Sequence, residues 1–250
     1  MLPYYEDEAV TLYLGDCRDI LPTLGLQVDV VIADPPYGQT SLAWDRFIDG
    51  LPTVLLPTLG PAASMWWFGS LRVFMERAGA FDGWKLAQDI IWRKHNGSSF
   101  HADRFRRVHE QVAHFYPENV PWAEIYVAPQ YTMDATKRTV RRKRRPPHMG
   151  HIERSAYESQ DGGPRLMLSV LEVPSTHGYA VHPTQKPVEF ITHLLNYSCP
   201  PGGLVLDPTA GSGSTLLAAK DSGRRAVGIE IDERYCEAAA KRMALMVMAS

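Results

Sequence analysis

The sequence predicts an α/β protein in which helices cover both faces of a mostly parallel sheet. Residues 27–34, QVDVVIAD, form a β-branched run that is typical of strands buried on both faces. Residues 204–242 alternate between a strand, a glycine-rich turn, a helix, a second strand with an acidic end, and a second helix. Such alternation indicates parallel strands joined by helices.

Further segments extend this sheet and its helical cover. Strand patterns occupy residues 9–16, 62–69, 85–94 and 110–116, and we expect the last two to be antiparallel at one edge. Residues 17–25 leave room for only a short helical turn. Residues 71–80 have a helical pattern, and Phe190, Leu194 and Leu195 form the apolar stripe of a later helix.

Regular periodicity is lost between residues 117 and 175. Prolines, a basic run and the stretch SQDGGPR interrupt it, although residues 166–174 have the pattern of a strand. Long irregular stretches inside compact domains are usually functional or disordered. We therefore divide the chain into a first half, residues 1–116, an inserted segment, residues 117–175, and a second half, residues 176–250.

Length and composition are those of an ordinary globular protein. The 250 residues fit one α/β domain with an insertion. No apolar run approaches the roughly 20 residues of a membrane span. Three widely spaced cysteines argue against a disulfide framework and favour a reducing, cytoplasmic location. None of them belongs to a CxxC pair, so we expect no metal site.

Positive charge is concentrated in residues 137–145, KRTVRRKRR. This strip carries seven positive charges in a chain of net charge −2, which leaves −9 for the remainder. A basic strip on an acidic body favours a nucleic-acid contact over a solvated loop. Its charges would bind phosphates, and Asn119, Gln130, Arg154 or Arg165 would supply base contacts. The residues expected at the phosphates are Lys137, Arg138, Arg141, Arg142, Lys143, Arg144 and Arg145.

Residues 30–38, VVIADPPYG, end a buried strand on an acid. Pro35 and Pro36 cannot continue a central strand, because proline fixes φ and has no N–H to donate. The prolines therefore form a rigid exit that holds Asp34 and Tyr37 at the carboxyl end of the strand. Ligands bind at that end in open α/β sheets.

Residues 206–215, LDPTAGSGST, lead from a strand into a helix, and Gly211 and Gly213 permit close approach of a ligand. The turn lacks the lysine of a phosphate-binding loop and the third glycine of a dinucleotide fingerprint. Asp207 before it suits a cationic amino or sulfonium group, and Glu230 stands where an acid commonly binds ribose hydroxyls. The pattern favours S-adenosylmethionine; the alternative is a tight turn without a ligand.

Three motifs, in this order, resemble the β-class amino-methyltransferases of DNA, which modify adenine N6 or cytosine N4. They are DPPY at 34–37, HPTQKP at 182–187 and DPTAGSGST at 207–215. The resemblance covers nearly the whole chain except residues 117–175. It implies a Rossmann-like, mostly parallel seven-stranded sheet with one reversed strand, circularly permuted, with a target-recognition segment inserted at 117–175.

The resemblance also implies which residues form the site. Lys186 and Thr184 would approach the carboxylate of S-adenosylmethionine, and Asp16 would approach its adenine. The residues expected at the cofactor are Asp16, Asp34, Thr184, Lys186, Asp207, Ala210, Gly211, Gly213 and Glu230. Those expected to be catalytic are Asp34, Pro35, Pro36 and Tyr37. Trp44 and Asp45 either close over the target or, for the tryptophan, pack in the core.

The implied chemistry accounts for the acid and the two prolines. An exocyclic amine is a poor nucleophile because its lone pair is delocalised into the ring. The Asp34 carboxylate and the Pro35 carbonyl would each accept one N–H, and Tyr37 would stack on a base flipped out of the duplex. Methyl transfer would then depend on positioning and electrostatics. The structural alternatives are that Asp34 caps the next turn and that Tyr37 only packs.

We therefore expect an adenine-N6 DNA methyltransferase, since aspartate heads the DPPY motif. The alternatives are a cytosine-N4 enzyme, a catalytically silent DNA-binding relative, and methylation of RNA or of protein glutamine. Its expected partner is double-stranded DNA, with a cognate restriction enzyme possible and no membrane. The chain would act as a monomer or a homodimer.

Overall fold

A computed structural model describes residues 2–38, 46–94, 102–141, 156–175 and 185–247. The chain divides into two compact units, Met1–Ala128 with Ser169–Ser250, and Pro129–Leu168. The second unit contains fewer residues than the irregular segment 117–175, because residues 117–128 and 169–175 belong to the first unit.

The described residues form thirteen strands and six α-helices. The strands are β1 (Tyr5–Glu6), β2 (Val10–Leu14), β3 (Val28–Ala33), β4 (Leu59–Gly69), β5 (Trp84–Arg93), β6 (His109–Pro117), β7 (Tyr131–Thr132), β8 (Arg138–Arg141), β9 (Ala156–Ser159), β10 (Arg165–Leu166), β11 (Val170–Glu172), β12 (Leu204–Asp207) and β13 (Arg225–Glu230). The helices are α1 (Cys17–Leu24), α2 (Leu51–Leu55), α3 (Leu71–Glu76), α4 (Val188–Ser198), α5 (Ser214–Asp221) and α6 (Glu233–Val247). Within the described ranges, none of these helices is long and apolar enough to cross a bilayer.

The first unit contains a nine-stranded sheet in the order β1–β2–β13–β12–β3–β4–β6–β5–β11. Strands β2, β13, β12, β3 and β4 are parallel, and β6 runs in the opposite direction between β4 and β5. These seven strands are the predicted mostly parallel sheet with one reversed strand. The two-residue β1 and the three-residue β11 extend it at either edge, so β5 is paired on both sides.

The strand directions bring distant parts of the sequence to one edge of the sheet. The parallel strands β2, β13, β12, β3 and β4 all end there, and the reversed strand β6 begins there. Gly15 N donates a hydrogen bond to Glu230 O at 2.8 Å and so ties the ends of β2 and β13. The acidic residues that end or follow these strands therefore lie at one edge of the sheet.

Helix α1 is longer than the short turn that the sequence predicts. It spans eight residues because Asp16 caps its first turn and Gly25, with φ 57°, ends it in the left-handed conformation. Pro22 lies inside the helix. A proline there removes one backbone donor, and the caps at both ends compensate for that loss.

Helix α4 packs its predicted stripe on the sheet, since Phe190, Leu194 and Leu195 are buried. Trp66 and Trp67 of β4 are also fully buried, as expected for core residues. Trp66 stacks on His114 with ring centroids 4.0 Å apart, and its indole N–H donates to Ser198 Oγ of α4 at 2.8 Å. These contacts fix β4, and hence the loop that follows it, against the helical cover.

The second unit consists of short antiparallel pairs. Strand β7 pairs with β10, and β8 pairs with β9. Arg165 donates two hydrogen bonds to Asp134 at 3.0 and 2.5 Å, and Lys137 N donates to Asp161 Oδ1 at 2.6 Å. Polar contacts between side chains and backbone thus stabilise this small unit.

Gly203, which precedes β12, has no space for a side chain. A Cβ there would lie 2.9 Å from each of Asp29 Oδ2, Cys199 Sγ and Pro200 O. Gly203→Ala is therefore expected to lower the free energy of unfolding by about 1–3 kcal/mol, as overpacking does. Gly79→Ala is the matched control, because nothing lies within 4 Å of that position. Urea denaturation of both variants measures the difference; equal stabilities would contradict the packing described at β12.

Candidate active site

Asp34 lies immediately beyond β3 and accepts two hydrogen bonds. Tyr37 donates its hydroxyl proton to Asp34 Oδ1 at 2.6 Å, and Lys186 donates from Nζ to Asp34 Oδ2 at 2.5 Å. The structure therefore brings together the DPPY and HPTQKP motifs, whose residues Asp34 and Lys186 are 152 positions apart. Burial, followed by the charge of Asp34, raises the pKa of Tyr37 well above its usual value, which keeps the phenol protonated as a donor.

Lys186 is buried, with 6% of its surface exposed. Its Nζ lies 3.5 Å from Glu110 Oε2, and Glu110 Oε1 forms an ion pair with Lys94. Burial alone would lower the pKa of Lys186, but the carboxylates of Asp34 and Glu110 outweigh it and raise that pKa. Lys186 thus carries a positive charge between two acids.

Glu110 is stabilised as a carboxylate by the two lysines. Burial would raise its pKa, yet the ammonium groups of Lys186 and Lys94 outweigh this effect and hold the pKa below its usual range. The Lys94 ammonium group also lies 4.7 Å from the centroid of the Trp92 ring. A chain of alternating charges therefore runs Lys94–Glu110–Lys186–Asp34, with Lys186 buried and the other three side chains partly buried.

The glycine turn between β12 and α5 is shaped by its two glycines. Gly211 and Gly213 have φ angles of 52° and 78°, which residues with a side chain rarely adopt. A Cβ on Gly213 would also lie 3.0 Å from Ala239 Cβ of α6. Because the two glycines have no side chains, the backbone of this turn stays accessible to a ligand.

Three side chains hold this turn in place. Gly211 N donates to Glu230 Oε2 at 2.7 Å, and Ser212 Oγ donates to Gln185 Oε1 at 3.1 Å. Arg242 of α6 donates to the carbonyl oxygen and the hydroxyl of Ser212. The HPTQKP motif therefore touches the glycine turn through Gln185 as well as Asp34 through Lys186.

Glu230 at the end of β13 has a structural role in addition to its predicted one. Its Oε2 accepts from Gly211 N, and its Oε1 accepts from Asp232 N at 2.8 Å. Each carboxylate oxygen has a second lone pair, which leaves acceptor capacity for hydroxyl groups of a ligand. Burial raises the pKa of Glu230.

Asp207 is a buried acid at the end of β12, 4% exposed. Its Oδ1 accepts from Thr209 N at 3.0 Å. Burial is the main reason that its pKa rises to about 7, and the nearby charges of Asp34 and Glu230 add to the increase. Thr209 Oγ1, in the same turn, is buried without a hydrogen-bond partner among the described residues. A cationic ligand with a polar edge fits this environment.

Asp16 lies at the end of β2, where the sequence predicts it, but its side chain is engaged locally. It caps α1 by accepting from Arg18 N at 2.9 Å and forms an ion pair with the Arg18 guanidinium group at 2.6 Å. Contact of Asp16 with a cofactor would therefore compete with Arg18.

A cleft of about 540 Å³ opens beside Tyr37. Its lining comes from the DPPY turn, the start of α3 and the beginning of β6, and it consists of Tyr37, Gly38, Ser70, Leu71, Arg72, Glu76, Arg107, His109 and Gln111. Gln111 Oε1 is buried without a partner among the described residues. Phe105, close to Arg107 in sequence, is fully exposed. The cleft thus offers polar groups and an aromatic ring next to Asp34.

Several predicted residues lie elsewhere. Thr184, Trp44, Asp45, Arg154 and residues 142–145 fall outside the described residues. Lys137 and Arg138 are exposed in the second unit, Arg141 ends β8, and Asn119 is exposed in the first unit. Sequence reasoning missed Glu110, Lys94 and Arg242. A glutamate inside the apolar strand pattern 110–116 was the available clue to the first of them.

The raised pKa of Asp207 predicts a pH-dependent stability. Its folded-state pKa of about 7 lies above the value of roughly 3.9 of an unfolded chain. Its neutral form therefore adds up to about 4 kcal/mol to the free energy of unfolding. This contribution is fully present below pH ~4 and is lost as the pH rises through about 7.

The difference between the protein and Asp207→Asn isolates this effect. His114 acts in the opposite direction, because burial lowers its pKa to about 3. In the difference between the two proteins, the His114 contribution cancels. Denaturant unfolding at pH 4 to 7.5 should show Asp207→Asn gaining stability relative to the unmodified protein as pH rises; parallel curves would contradict a buried acid of raised pKa.

Comparison with known proteins assigns this geometry to a family. The model of the DNA methylase family, for N6 and N4 methyltransferases, matches residues 28–241. The chain is 26% identical to Type II methyltransferase M.HinfI of Haemophilus influenzae over 264 aligned positions, covering 93% of this chain and 68% of that protein.

Two solved structures share the fold. The M1.HpyAVI–SAM complex superposes with a TM-score of 0.63 at 22% identity, covering 94% of this chain and 99% of that one. The PvuII DNA methyltransferase, described as cytosine-N4-specific, superposes with a TM-score of 0.65 at 16% identity, covering 96% and 88%. Because the family model spans most of its length, this chain belongs to the DNA methylase family of N6 and N4 amino-methyltransferases.

Proposed function

We propose that this protein transfers a methyl group from S-adenosylmethionine to the N6 amine of an adenine flipped out of duplex DNA. The observation that carries the proposal is the position of Asp34, which is held by Tyr37 and Lys186 at the sheet edge where the glycine turn and Asp207 also lie. Family membership and the SAM complex of M1.HpyAVI support it.

The described residues fit S-adenosylmethionine. When bound, it supplies an electrophilic methyl group on a sulfonium centre. Buried Asp207, with its raised pKa, suits a cation, and the glycine turn allows close approach of a ligand to the backbone. The residues that would hold it are Asp16, Asp34, Thr184, Lys186, Asp207, Ala210, Gly211, Gly213 and Glu230.

Asp34 and Pro35 would prepare the nucleophile. Each accepts one N–H of the exocyclic amine, Asp34 through its carboxylate and Pro35 through its carbonyl. The nitrogen is thereby drawn toward a tetrahedral geometry, and its lone pair would form the new N–C bond as the bond between the methyl group and the sulfonium sulfur breaks. The proton that the nitrogen loses would pass to the Asp34 carboxylate or to water. The rate then depends on orientation and electrostatics without a strong base.

The cleft beside Tyr37 would receive the flipped base. Tyr37 lines it, so the ring can stack on a base whose amine reaches Asp34. Gln111 Oε1 provides a buried acceptor at the same cleft. Arg72 and Arg107, which also line it, would contact the phosphates flanking the target.

Cytosine-N4 methylation is the second candidate. Adenine N6 and cytosine N4 are both exocyclic amines beside a ring nitrogen, so Asp34 and Pro35 can bind either in the same way. The structural likeness to the cytosine-N4-specific PvuII enzyme keeps this candidate open. The aspartate at the head of DPPY favours adenine.

The inserted unit would bind the duplex. The division that we propose is a catalytic half at 1–116, a target-recognition segment within 117–175 and a cofactor half at 176–250. Lys137 and Arg138 are exposed, as phosphate contacts require. Such contacts hold the duplex without selecting its sequence.

Nucleoside analysis tests the proposed function. The purified protein is incubated with S-adenosylmethionine and unmethylated DNA, and the digested nucleosides are separated by mass. We expect N6-methyladenine, and Asp34→Ala should abolish it. Tyr37→Phe is the matched control for the hydroxyl, since it retains the ring. Detection of N4-methylcytosine would replace adenine by cytosine as the target. Absence of any methylated nucleoside would contradict both candidates.

The basic strip predicts a salt-dependent affinity. Each phosphate contact contributes about 0.9 to the slope of log K against log salt. Lys137→Gln combined with Arg138→Gln should flatten this slope by roughly 2 if both charges bind phosphates. Lys85→Gln with Lys241→Gln removes equal charge from exposed positions of the first unit. Fluorescence anisotropy with labelled duplex measures the slopes, and the same flattening in both pairs would contradict a specific role for the strip.

A further inference from the structure

Glu110 has no part in the chemistry described above, although it is buried beside it. Its Oε1 is paired with Lys94, and its Oε2 lies 3.5 Å from Lys186 Nζ. Oε2 is also buried without a hydrogen-bond partner among the described residues. A buried carboxylate oxygen in that situation is costly unless another state of the protein uses it.

The two donors on Asp34 conflict with its proposed task. Lys186 at 2.5 Å compensates the negative charge of Asp34, and Tyr37 at 2.6 Å occupies the other oxygen. A carboxylate that accepts a charge-assisted bond from an ammonium group is a weaker acceptor for a neutral amine. The target amine therefore binds Asp34 best when Lys186 has moved away from it.

Lys186 cannot move into water, because only 6% of its surface is exposed. Glu110 Oε2 is the buried anionic acceptor on its other side. A shift of less than about 1 Å would bring Nζ within the usual 2.7–2.9 Å of a charge-assisted hydrogen bond. Lys94 holds the opposite oxygen of Glu110, so the acceptor is already oriented.

The surroundings allow this small movement. Lys186 Nζ lies 5.1 Å from the centroid of the Phe68 ring and 5.9 Å from that of Tyr37, and both ring faces attract a cation. The raised pKa of Lys186 and the lowered pKa of Glu110 keep both groups charged during the exchange.

We propose that Glu110 is a positioning residue that receives the Lys186 ammonium group when the amine of the target base binds Asp34. The inference rests on the proposed methyl transfer and adds to it an exchange of partners by Lys186. Lys186 thus alternates between Asp34 and Glu110 as acceptors. The negative charge of Glu110 determines how readily Lys186 leaves Asp34.

Glu110→Gln tests the exchange, because the amide is similar in size but lacks the charge that attracts Lys186. The expected result is a fall in kcat of about 10- to 100-fold, the range that misplaced catalytic groups produce. The KM for S-adenosylmethionine should stay near that of the unmodified protein. Glu110→Asp keeps the charge and should restore part of the kcat.

A charge-balanced variant separates positioning from simple neutralisation. Glu110→Gln with Lys94→Met restores the net charge of this chain of four side chains and still lacks the alternative anionic acceptor. The proposal predicts that this pair regains thermal stability, measured by circular dichroism, but not kcat. It also carries the test if Glu110→Gln alone does not fold.

Two results would overturn the inference while leaving the proposed function intact. They are wild-type kcat in Glu110→Gln, and recovery of wild-type kcat in the charge-balanced pair. Calorimetric titration of each variant with S-adenosylmethionine, without DNA, should give unchanged affinity; loss of binding would assign Glu110 to the cofactor pocket instead. Absence of methyl transfer by the unmodified protein would contradict the proposed function itself.

Discussion

The site depends on the burial of acidic side chains at one edge of a single sheet. Asp34, Asp207 and Glu230 follow or end the neighbouring strands β3, β12 and β13, and Glu110 is the second residue of the reversed strand β6. Lys186 and Lys94 neutralise Asp34 and Glu110. Among the described residues Asp207 has no such cationic partner, and burial raises its pKa to about 7. Burying an uncompensated acid is unfavourable, and a cationic ligand removes that cost. A pocket of this kind suits the sulfonium and amino groups of S-adenosylmethionine.

The strand order explains how distant sequence segments form one site. Strand β12 pairs in parallel with β3, with Val205 opposite Val30, so the glycine turn and the DPPY turn leave adjacent strands in the same direction. The HPTQKP segment then joins the two turns, with Lys186 on Asp34 and Gln185 on Ser212. The proposed chemistry at Asp34 and the proposed cofactor binding at Gly211 would therefore be coupled through one short segment. Displacement of that segment would affect both.

Local patterns predicted the parts of the site that depend on local chemistry. The prolines after Asp34 and the glycines after Asp207 restrict the backbone wherever they occur, so the two turns and the strands before them were recognisable. The seven central strands were predicted by periodicity and resemblance together. The two-residue β1 was not predicted, because it is too short to carry a pattern and forms by pairing with β2. Within the strand pattern predicted at 166–174, only Val170–Glu172 form β11, through pairing with β5. Helix α1 was underestimated because residues 17–25, between the two strand patterns, left room for only a short turn, whereas the caps at Asp16 and Gly25 let eight of them form a helix.

Glu110, Lys94 and Arg242 were missed for a related reason. Each acts through a partner far away in sequence, as Arg242 does on Ser212 and Glu110 does near Lys186. No spacing rule identifies such pairs until the strand directions are known. Conversely, the role of Asp16 was predicted from the family resemblance, and its engagement with Arg18 became visible only in the folded chain.

Calorimetric titration with S-adenosylmethionine as a function of pH tests the central claim most directly. If buried Asp207 receives the cationic part of the ligand, binding requires its ionised form. Affinity should then rise by up to about tenfold per pH unit between pH 5.5 and 7, and Asp207→Asn should bind weakly with no pH dependence in that range. Affinity that is independent of pH in the unmodified protein, or equal affinity in Asp207→Asn, would contradict the account of a buried acid awaiting a cation.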